Sequence, residues 1–307
     1  MNPDLHLKFR HLNCFLEVAR QGSFQRTADT LAITQPAVSK TIRELEDMLG
    51  YALFERGKRG VTLTDAGLTF LNAAGPSVQA LRHGVRSVMS GDFRTRELRL
   101  GVLSSVEVGL VPQLLRLFHE AHPDVVVIAE GGPAKYLLNL LRSGDLDLVI
   151  GRLSDSPHVS GLQFESLYGD ALRLVVRVGH PLVGSPMEAI VSGMADYALV
   201  LPTKETSIRQ QADSLLLQHG VRIPPTCVET LSTALARSYV QITDAVWVAP
   251  EDAIQSDLKK GELVALPLRE AYRGGAVGVC RNPSTPLSVA GEWCLELLKQ
   301  MGDARPG

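Results

Sequence analysis

Ser23-Phe24-Gln25-Arg26-Thr27-Ala28-Asp29-Thr30-Leu31-Ala32-Ile33-Thr34-Gln35-Pro36-Ala37-Val38-Ser39-Lys40-Thr41-Ile42, and then Phe54-Glu55-Arg56-Gly57-Lys58-Arg59-Gly60-Val61-Thr62-Leu63, decide how the amino-terminal part of this chain folds. Ser23 stands at a helix N-cap, with Ala28 and Leu31 following on one face. Ala32-Ile33 make a turn, and Thr34 caps a further helix whose Pro36 lies harmlessly in the first turn. Val38, Ile42, Leu45 and Leu49 give that helix an apolar face, and Gly50 closes it. Upstream, Phe9, Leu12, Phe15, Leu16 and Ala19 recur at helical spacing until Gly22. Phe54 and Val61-Thr62-Leu63 bracket the basic, Gly-rich run from Glu55 to Gly60, the pattern of a short hairpin. Helix, helix, turn, helix and basic hairpin predict an all-α-type winged helix-turn-helix in residues 1–65 that binds duplex DNA.

The remainder has a different rhythm. Leu68, Leu71, Val78, Leu81, Val85 and Val88 form one apolar stripe, which predicts a linker helix over 66–91 that needs a partner, most simply a second copy. Gly75-Pro76 interrupts it and predicts a bend or two helices. After the polar stretch Ser90 to Arg96, strand and helix patterns alternate: Leu98 to Val102, Glu107 to Ala121, Val125 to Ala129, Lys135 to Ser143 and Leu146 to Ile150. That is the signature of a parallel α/β sheet. A second unit follows, with strands at 172–178, 197–201, 227–229 and 246–249 and helices at 207–219 and 232–240. Ala276 to Cys280 and a final helix from Leu287 to Met301 return the chain to the first unit. The expected fold is therefore α/β, a bilobal region over 92–307, with one subdomain at about 97–168 and 270–307 and the other at about 169–269.

Composition narrows the function classes. The chain has 307 residues, 45% hydrophobic and 21% charged, which suits two or three globular domains. Its net charge of −2 hides a split: through Arg96 there are 13 Lys/Arg against 9 Asp/Glu, and beyond it 18 against 24. The basic half is where a polyanion would be met. With no signal-peptide pattern and no long apolar run, the expectation is a cytoplasmic protein without a membrane span, on the nucleoid when bound to DNA. Cys14, Cys227, Cys280 and Cys294 show no metal-ligand spacing and are expected to be buried thiols; a redox sensor would need two of them close together. No cofactor or metal is called for.

On the third helix Gln35, Pro36, Ser39 and Lys40 are the expected base-reading set, with its cap Thr34 and Arg43 also expected at the DNA. Gln pairs bidentately with adenine, Ser donates or accepts, and Lys or Arg reaches guanine or phosphate. Arg26 on the second helix, and Arg56, Lys58 and Arg59 on the hairpin, are placed for phosphates. Enzymatic motifs are missing: there is no Gly-x-Ser-x-Gly elbow, no phosphate-binding loop and no His-Glu-x-x-His. His119-Glu120-x-His122 has the wrong spacing for a metal site, and Asp145 and Asp147 are not read as a catalytic carboxylate pair.

Phe15-x-x-Val18-Ala19-x-x-Gly22-Ser23-Phe24, Ala28-x-x-Leu31, Thr34-Gln35-Pro36-Ala37-Val38-Ser39, Ile42-x-x-Leu45-Glu46, Leu53-Phe54-x-Arg56 and Leu63-Thr64-x-Ala66-Gly67 resemble the amino-terminal domain of LysR-type transcriptional regulators. Pro112-Gln113, His122-Pro123 and Leu141-x-x-Gly144-x-Leu146-Asp147-Leu148 resemble that family's effector domain. The resemblance implies a dimerising linker helix and a periplasmic-binding-protein-like effector domain of two Rossmann-like subdomains with a small coinducer between them. It further implies a homodimer or homotetramer on pseudo-palindromic promoter DNA. Glu130-Gly131-Gly132 and the run Arg142 to Leu153 look most like the branch that regulates protocatechuate catabolism and related sugar regulators.

For the effector, the useful positions lie where strands give way to helices, because helix starts and hydroxyls bind anions. Ser104 and Ser105 follow one strand; Pro202, Thr203 and Ser207 follow another, with Arg209 just beyond and Gly132 in the Gly-rich turn. Together these seven are expected to hold a small organic acid, although Ser105 and Ser207 could equally be plain helix caps. The alternative reading is a solute-binding module or an enzyme with a DNA-binding-like appendage.

Overall fold

The computed structural model describes residues 7–57, 60–90, 96–153, 159–204, 206–224, 226–267 and 275–305. The amino-terminal unit runs α1 (Phe9–Gln21), α2 (Phe24–Leu31), α3 (Gln35–Leu49), β1 (Phe54–Gly57) and β2 (Gly60–Leu63). Local chemistry sets each boundary. Gly22 ends α1 with φ 59°, where other residues pay a steric cost. Ser23 Oγ accepts the Arg26 N–H, Thr34 Oγ1 accepts that of Ala37, and Gly50 closes α3. The Val61 N–H donates to the Gly22 carbonyl and ties the hairpin to the end of α1. Phe15 is fully buried at the centre, its ring 5.3 Å from that of Phe54 and 5.0 Å from that of Phe70.

Next, α4 (Asp65–Ser90) runs through Pro76 as one helix, where the sequence predicts a bend or two helices. Proline removes a donor and crowds the preceding turn. The Ser77 hydroxyl donates to the Ala73 carbonyl at 2.9 Å, and Leu71, Ala74 and Val78 are buried on one face. Packing therefore holds a helix that propensity alone would break.

The first α/β unit contains β3 (Arg96–Val102), α5 (Leu110–Ala121), β4 (Val125–Gly131), α6 (Ala134–Arg142), β5 (Leu148–Arg152) and β6 (Gln163–Gly169). The second contains β7 (Leu172–Arg177), α7 (Met187–Gly193), β8 (Leu199–Leu201), α8 (Ser207–Gln218), β9 (Cys227–Glu229), α9 (Thr233–Ile242), β10 (Val246–Pro250), α10 (Glu251–Lys260) and β11 (Leu263–Ala265). β12 (Ala276–Arg281) and α11 (Val289–Asp303) return to the first. The sheets have the orders β4-β3-β5-β12-β6 and β11-β7-β10-β8-β9. Leu98, Leu100, Leu148 and Ile150 pack under α5 and α11, while Val149 and Cys280 pack under α6. Leu174, Val176 and Val248 face α8, while Val175 and Trp247 face α9. Each sheet is thus apolar on both faces, as a strand layer between helices must be.

The purely parallel reading needs correction. β12 is antiparallel to β5 and β6, and β7 is antiparallel to β10 and β11. β6, α7, α10 and β11 fall where no element is predicted, because their patterns are short or largely polar; in α10 only Asp252, Ala253, Ile254 and Asp257 are buried. The chain passes from one sheet to the other after β6 and returns before β12, so a cleft opens between the sheets beside two crossings.

Among the described residues no helix is long and apolar enough to cross a membrane, and no group of three or more His, Cys, Asp or Glu could hold a metal ion. Cys14, Cys280 and Cys294 are buried as expected, but Cys227 is exposed because it lies on β9, at the edge of its sheet. Burial pushes the Cys14 and Cys280 thiols up to about 11 and Cys294 to about 12, the opposite of an activated sensor.

Phe15→Ala should cost about 3 to 5 kcal/mol, since it empties the ring-lined centre of the helical unit. Urea unfolding followed by circular dichroism would measure it, with a loss under about 1 kcal/mol contradicting the central role of that ring.

Candidate DNA interface and effector cleft

α3 is the second helix of the helix-turn-helix, and its outer face carries the expected polar residues. Thr34, Pro36, Lys40 and Arg43 are exposed, and Gln35 is half-buried. Lys40 has its ammonium 4.0 Å from Glu44, a pair in open water that leaves it free to reach a phosphate or base. Arg10 and His11 of α1 also meet Glu44, each at 3.3 Å, which fixes α1 against the outer part of α3.

Ser39 is 7% exposed, and its hydroxyl accepts a hydrogen bond from the Gln35 amide at 2.8 Å. Standing one turn below Gln35, it orients the Gln35 amide. Arg26 is exposed, with its guanidinium donating to the Gln21 carbonyl at 2.5 Å. On the hairpin, Arg56 pairs with Val61 in the β1–β2 register, so its backbone is in place. The Arg56 side chain, and Lys58 and Arg59 altogether, lie outside the described residues.

In the cleft, Ser104 from the first unit and Pro202 from the second line one cavity with Thr230, Ser232, Thr233 and Trp247. Its volume is about 20 Å3, room for a single water molecule. Ser232 Oγ caps α9 by accepting the Leu235 N–H, so this helix starts at the cavity wall. Two carboxylates are exchanged across the cleft. Glu107 of the first unit accepts from Thr233 Oγ1 at 2.8 Å, at the start of α9. Asp252 of the second accepts from the Leu110 N–H at 3.0 Å, at the start of α5, and from Arg305 at 2.7 Å. Gly109, which begins α5, has no side chain to cap it, and any Cβ there would meet Asp252.

At the crossing between sheets, the Arg152 guanidinium is held by Asp170 at 2.8 Å and by Gln211 of α8 at 2.5 Å, and both ends of the ion pair are 3% exposed. Burial pushes the Asp170 carboxyl up to about 6 even with Arg152 beside it.

A winged helix-turn-helix, a long helix and a two-sheet region joined by a double crossing form a recognisable whole. Residues 9–68 match the family described as bacterial regulatory helix-turn-helix protein, lysR family, and residues 91–303 match the LysR substrate binding domain. The chain belongs to the LysR family of DNA-binding transcriptional regulators. It is 38% identical to the HTH-type transcriptional regulator PcaQ of Agrobacterium fabrum, over 98% of each chain. A full-length OxyR variant from Pseudomonas aeruginosa shares the fold at a TM-score of 0.61 and 23% identity, covering 97% of this chain and 95% of that one. Vibrio fischeri DarR in complex with DNA shares it at a TM-score of 0.55 and 19% identity, covering 97% and 99%.

In this LysR-family regulator the remaining predicted cleft residues are dispersed. Ser105 is 5% exposed and caps no helix, because α5 begins later, at Leu110. Ser207 is the first residue of α8 and does not cap it; Thr206 does. The Thr203 carbonyl accepts from Thr206, and Gly132 lies beside the Tyr136 ring. Arg209 is engaged within its own unit: its guanidinium donates to Asp213 at 2.8 Å, Glu229 at 2.9 Å and the Pro202 carbonyl at 2.9 Å. Arg209 holds the Glu229 carboxyl below its ordinary range, and these contacts brace the loop behind the cleft.

Sequence reasoning missed Glu107, Thr230, Ser232, Thr233, Trp247 and Asp252. The start of α9 carries the same strand-to-helix signal that singled out Ser104 and Thr203, so Ser232 and Thr233 were within reach. Glu107 and Asp252 were not, because each acts on a helix more than a hundred residues away in the chain.

Gln35→Ala should lose about 1 to 3 kcal/mol of base discrimination. Ser39→Ala should lose part of the same preference with little change in affinity for nonspecific DNA, read by competition binding at fixed salt. Equal losses on all sequences would reassign both residues to the phosphate backbone. Glu107→Gln, made in a Trp293→Phe background so that Trp247 alone reports, should at least double acrylamide quenching of Trp247 as the cleft loosens; unchanged quenching would mean that the Glu107 contact does not hold it shut.

Proposed function

We propose that this regulator is switched by a small carboxylate that enters between its two sheets, and that it works as a homodimer or homotetramer on pseudo-palindromic promoter DNA. One observation carries this reading: Ser104 and Pro202 come from opposite sheets, both just beyond the carboxyl ends of parallel strands, and the start of α9 meets them there. Open α/β sheets bind ligands outside the carboxyl ends of their strands, and a helix start favours negative charge. A carboxylate from Glu107 already seated at that helix supports an acid as the occupant.

A metabolite needs far more room than about 20 Å3, so binding requires the sheets to part and the Glu107 contact to give way. Ser104, Pro202 and the start of α9 then form the first contacts. Thr203 of the loop after β8, Ser207 at the start of α8, Ser105 and Gly132 are the further contacts this reading assigns, with Arg209 bracing from behind. Resemblance to the protocatechuate branch favours an aromatic-pathway acid. Leu81, Val85 and Val88, half or more exposed along α4, fit pairing of that helix with a second copy. Arg26, Arg43, Arg56, Lys58 and Arg59 take the phosphates while Gln35, Pro36 and Lys40 meet bases.

Calorimetry against protocatechuate and its ring-opened carboxylates tests the ligand class. One of them should bind, and Ser104→Ala and Thr203→Ala should each weaken it about tenfold, or about 1.4 kcal/mol. Unchanged affinity in both variants would remove these residues from the site, and no binding by any acid would overturn the ligand class.

A further inference from the structure

Gly75-Pro76 remains unaccounted for by DNA binding or by dimerisation. In the structure this step lies against the turn that ends α6. A Cβ on Gly75 would come within 2.5 Å of the Ser143 Cα and 2.7 Å of its carbonyl carbon, so the two backbones touch. The fit is reciprocal: Gly144, with φ 74°, has room for no more than a hydrogen facing Pro76, whose Cα is 3.0 Å from where a Cβ would stand. One turn further along α4 the Gln79 amide donates to the Asp145 carboxylate. Asp145 also accepts from Ser143 Oγ at 2.5 Å, and the Arg142 guanidinium donates to the Ser160 carbonyl at 2.8 Å. One turn earlier, Asn72 lies 3.4 Å from where a Cβ on Gly161 would stand. α1 also touches α6.

We propose that Gly75-Pro76 and Ser143-Gly144-Asp145 form a docking notch that fixes the DNA-binding unit and the base of α4 to the first α/β unit of the same chain. Two glycines permit the backbone approach, the proline presents a rigid flat face without a donor to satisfy, and Gln79 with Asp145 sets the register along the helix. The notch stands independently of what enters the cleft.

Gly84, on the same helix, has open space where its Cβ would be, and so provides a matched control. In full-length protein carrying Cys227→Ser, cysteines placed by Gln79→Cys and Asp145→Cys should be joined within one chain by a short bis-maleimide, both free and on promoter DNA. Adding Gly75→Ala should cut that yield at least fivefold, whereas Gly84→Ala should leave it unchanged. Bridging only between chains, no bridging at all, or an equal yield with Gly75→Ala would overturn the proposal. Should Gly75→Ala fail to fold, Gln79→Ala removes atoms without adding any; it should speed amide exchange at residues 143–147 at least threefold, and unchanged exchange would likewise overturn the notch.

Discussion

A helix start leaves backbone N–H groups that need an acceptor, and where this chain finds those acceptors organises both of its functional regions. Ser23 and Thr34 supply them locally for α2 and α3, which sets the tight turn and aims α3 outward. Thr206, Ser232 and Ser288 do the same for α8, α9 and α11. α5 begins at a glycine without a capping side chain and takes its acceptor, Asp252, from the other side of the cleft. A local requirement is thereby met by a long-range contact, and the relative placement of the two sheets depends on it. Glu107 reaches back to the start of α9 in the opposite direction. Because Asp252 is buried and Glu107 exposed, the first contact is shielded from water and the second is open to it.

Charge is distributed to match. The pairs that Arg10 and Lys40 make with Glu44 lie in water, where they contribute little to stability and leave Lys40 and Arg43 available to a polyanion. The pair at the sheet crossing is nearly dry, so removing either Arg152 or Asp170 would strand its partner. Arg209 is intermediate: two carboxylates and a carbonyl take the Nε and Nη1 donors of its guanidinium and hold it in place behind the cleft. On α3 the Ser39 hydroxyl likewise accepts from Gln35 and orients its amide.

Most of the helical unit was legible because its signals are local. Gly22, Ser23, Thr34 and Gly50 each act within one turn, and the apolar spacing around Phe15, Val38 and Ile42 leaves a single way to pack three short helices. In the α/β region, parallel strands such as Leu148–Arg152 were visible as continuous apolar runs. β6 and α10 were not, since their polar residues face solvent or cross-sheet partners and imprint no regular period. The unbroken run of α4 through Pro76 was also hidden, because the packing that supports it lies on another element.

The sequence by itself determined the element order, the caps, the basic hairpin and the presence of two alternating α/β units, since all of these follow from residues within a few positions of each other. Only the tertiary structure decided that Ser39 serves Gln35, that Asp252 and Glu107 trade helix starts across the cleft, and that Gly75 meets Ser143. The physical reason is separation along the chain: Asp252 and Leu110 carry no common pattern in sequence, and a burial, a clash or a borrowed cap exists only once folding has brought both partners to one place.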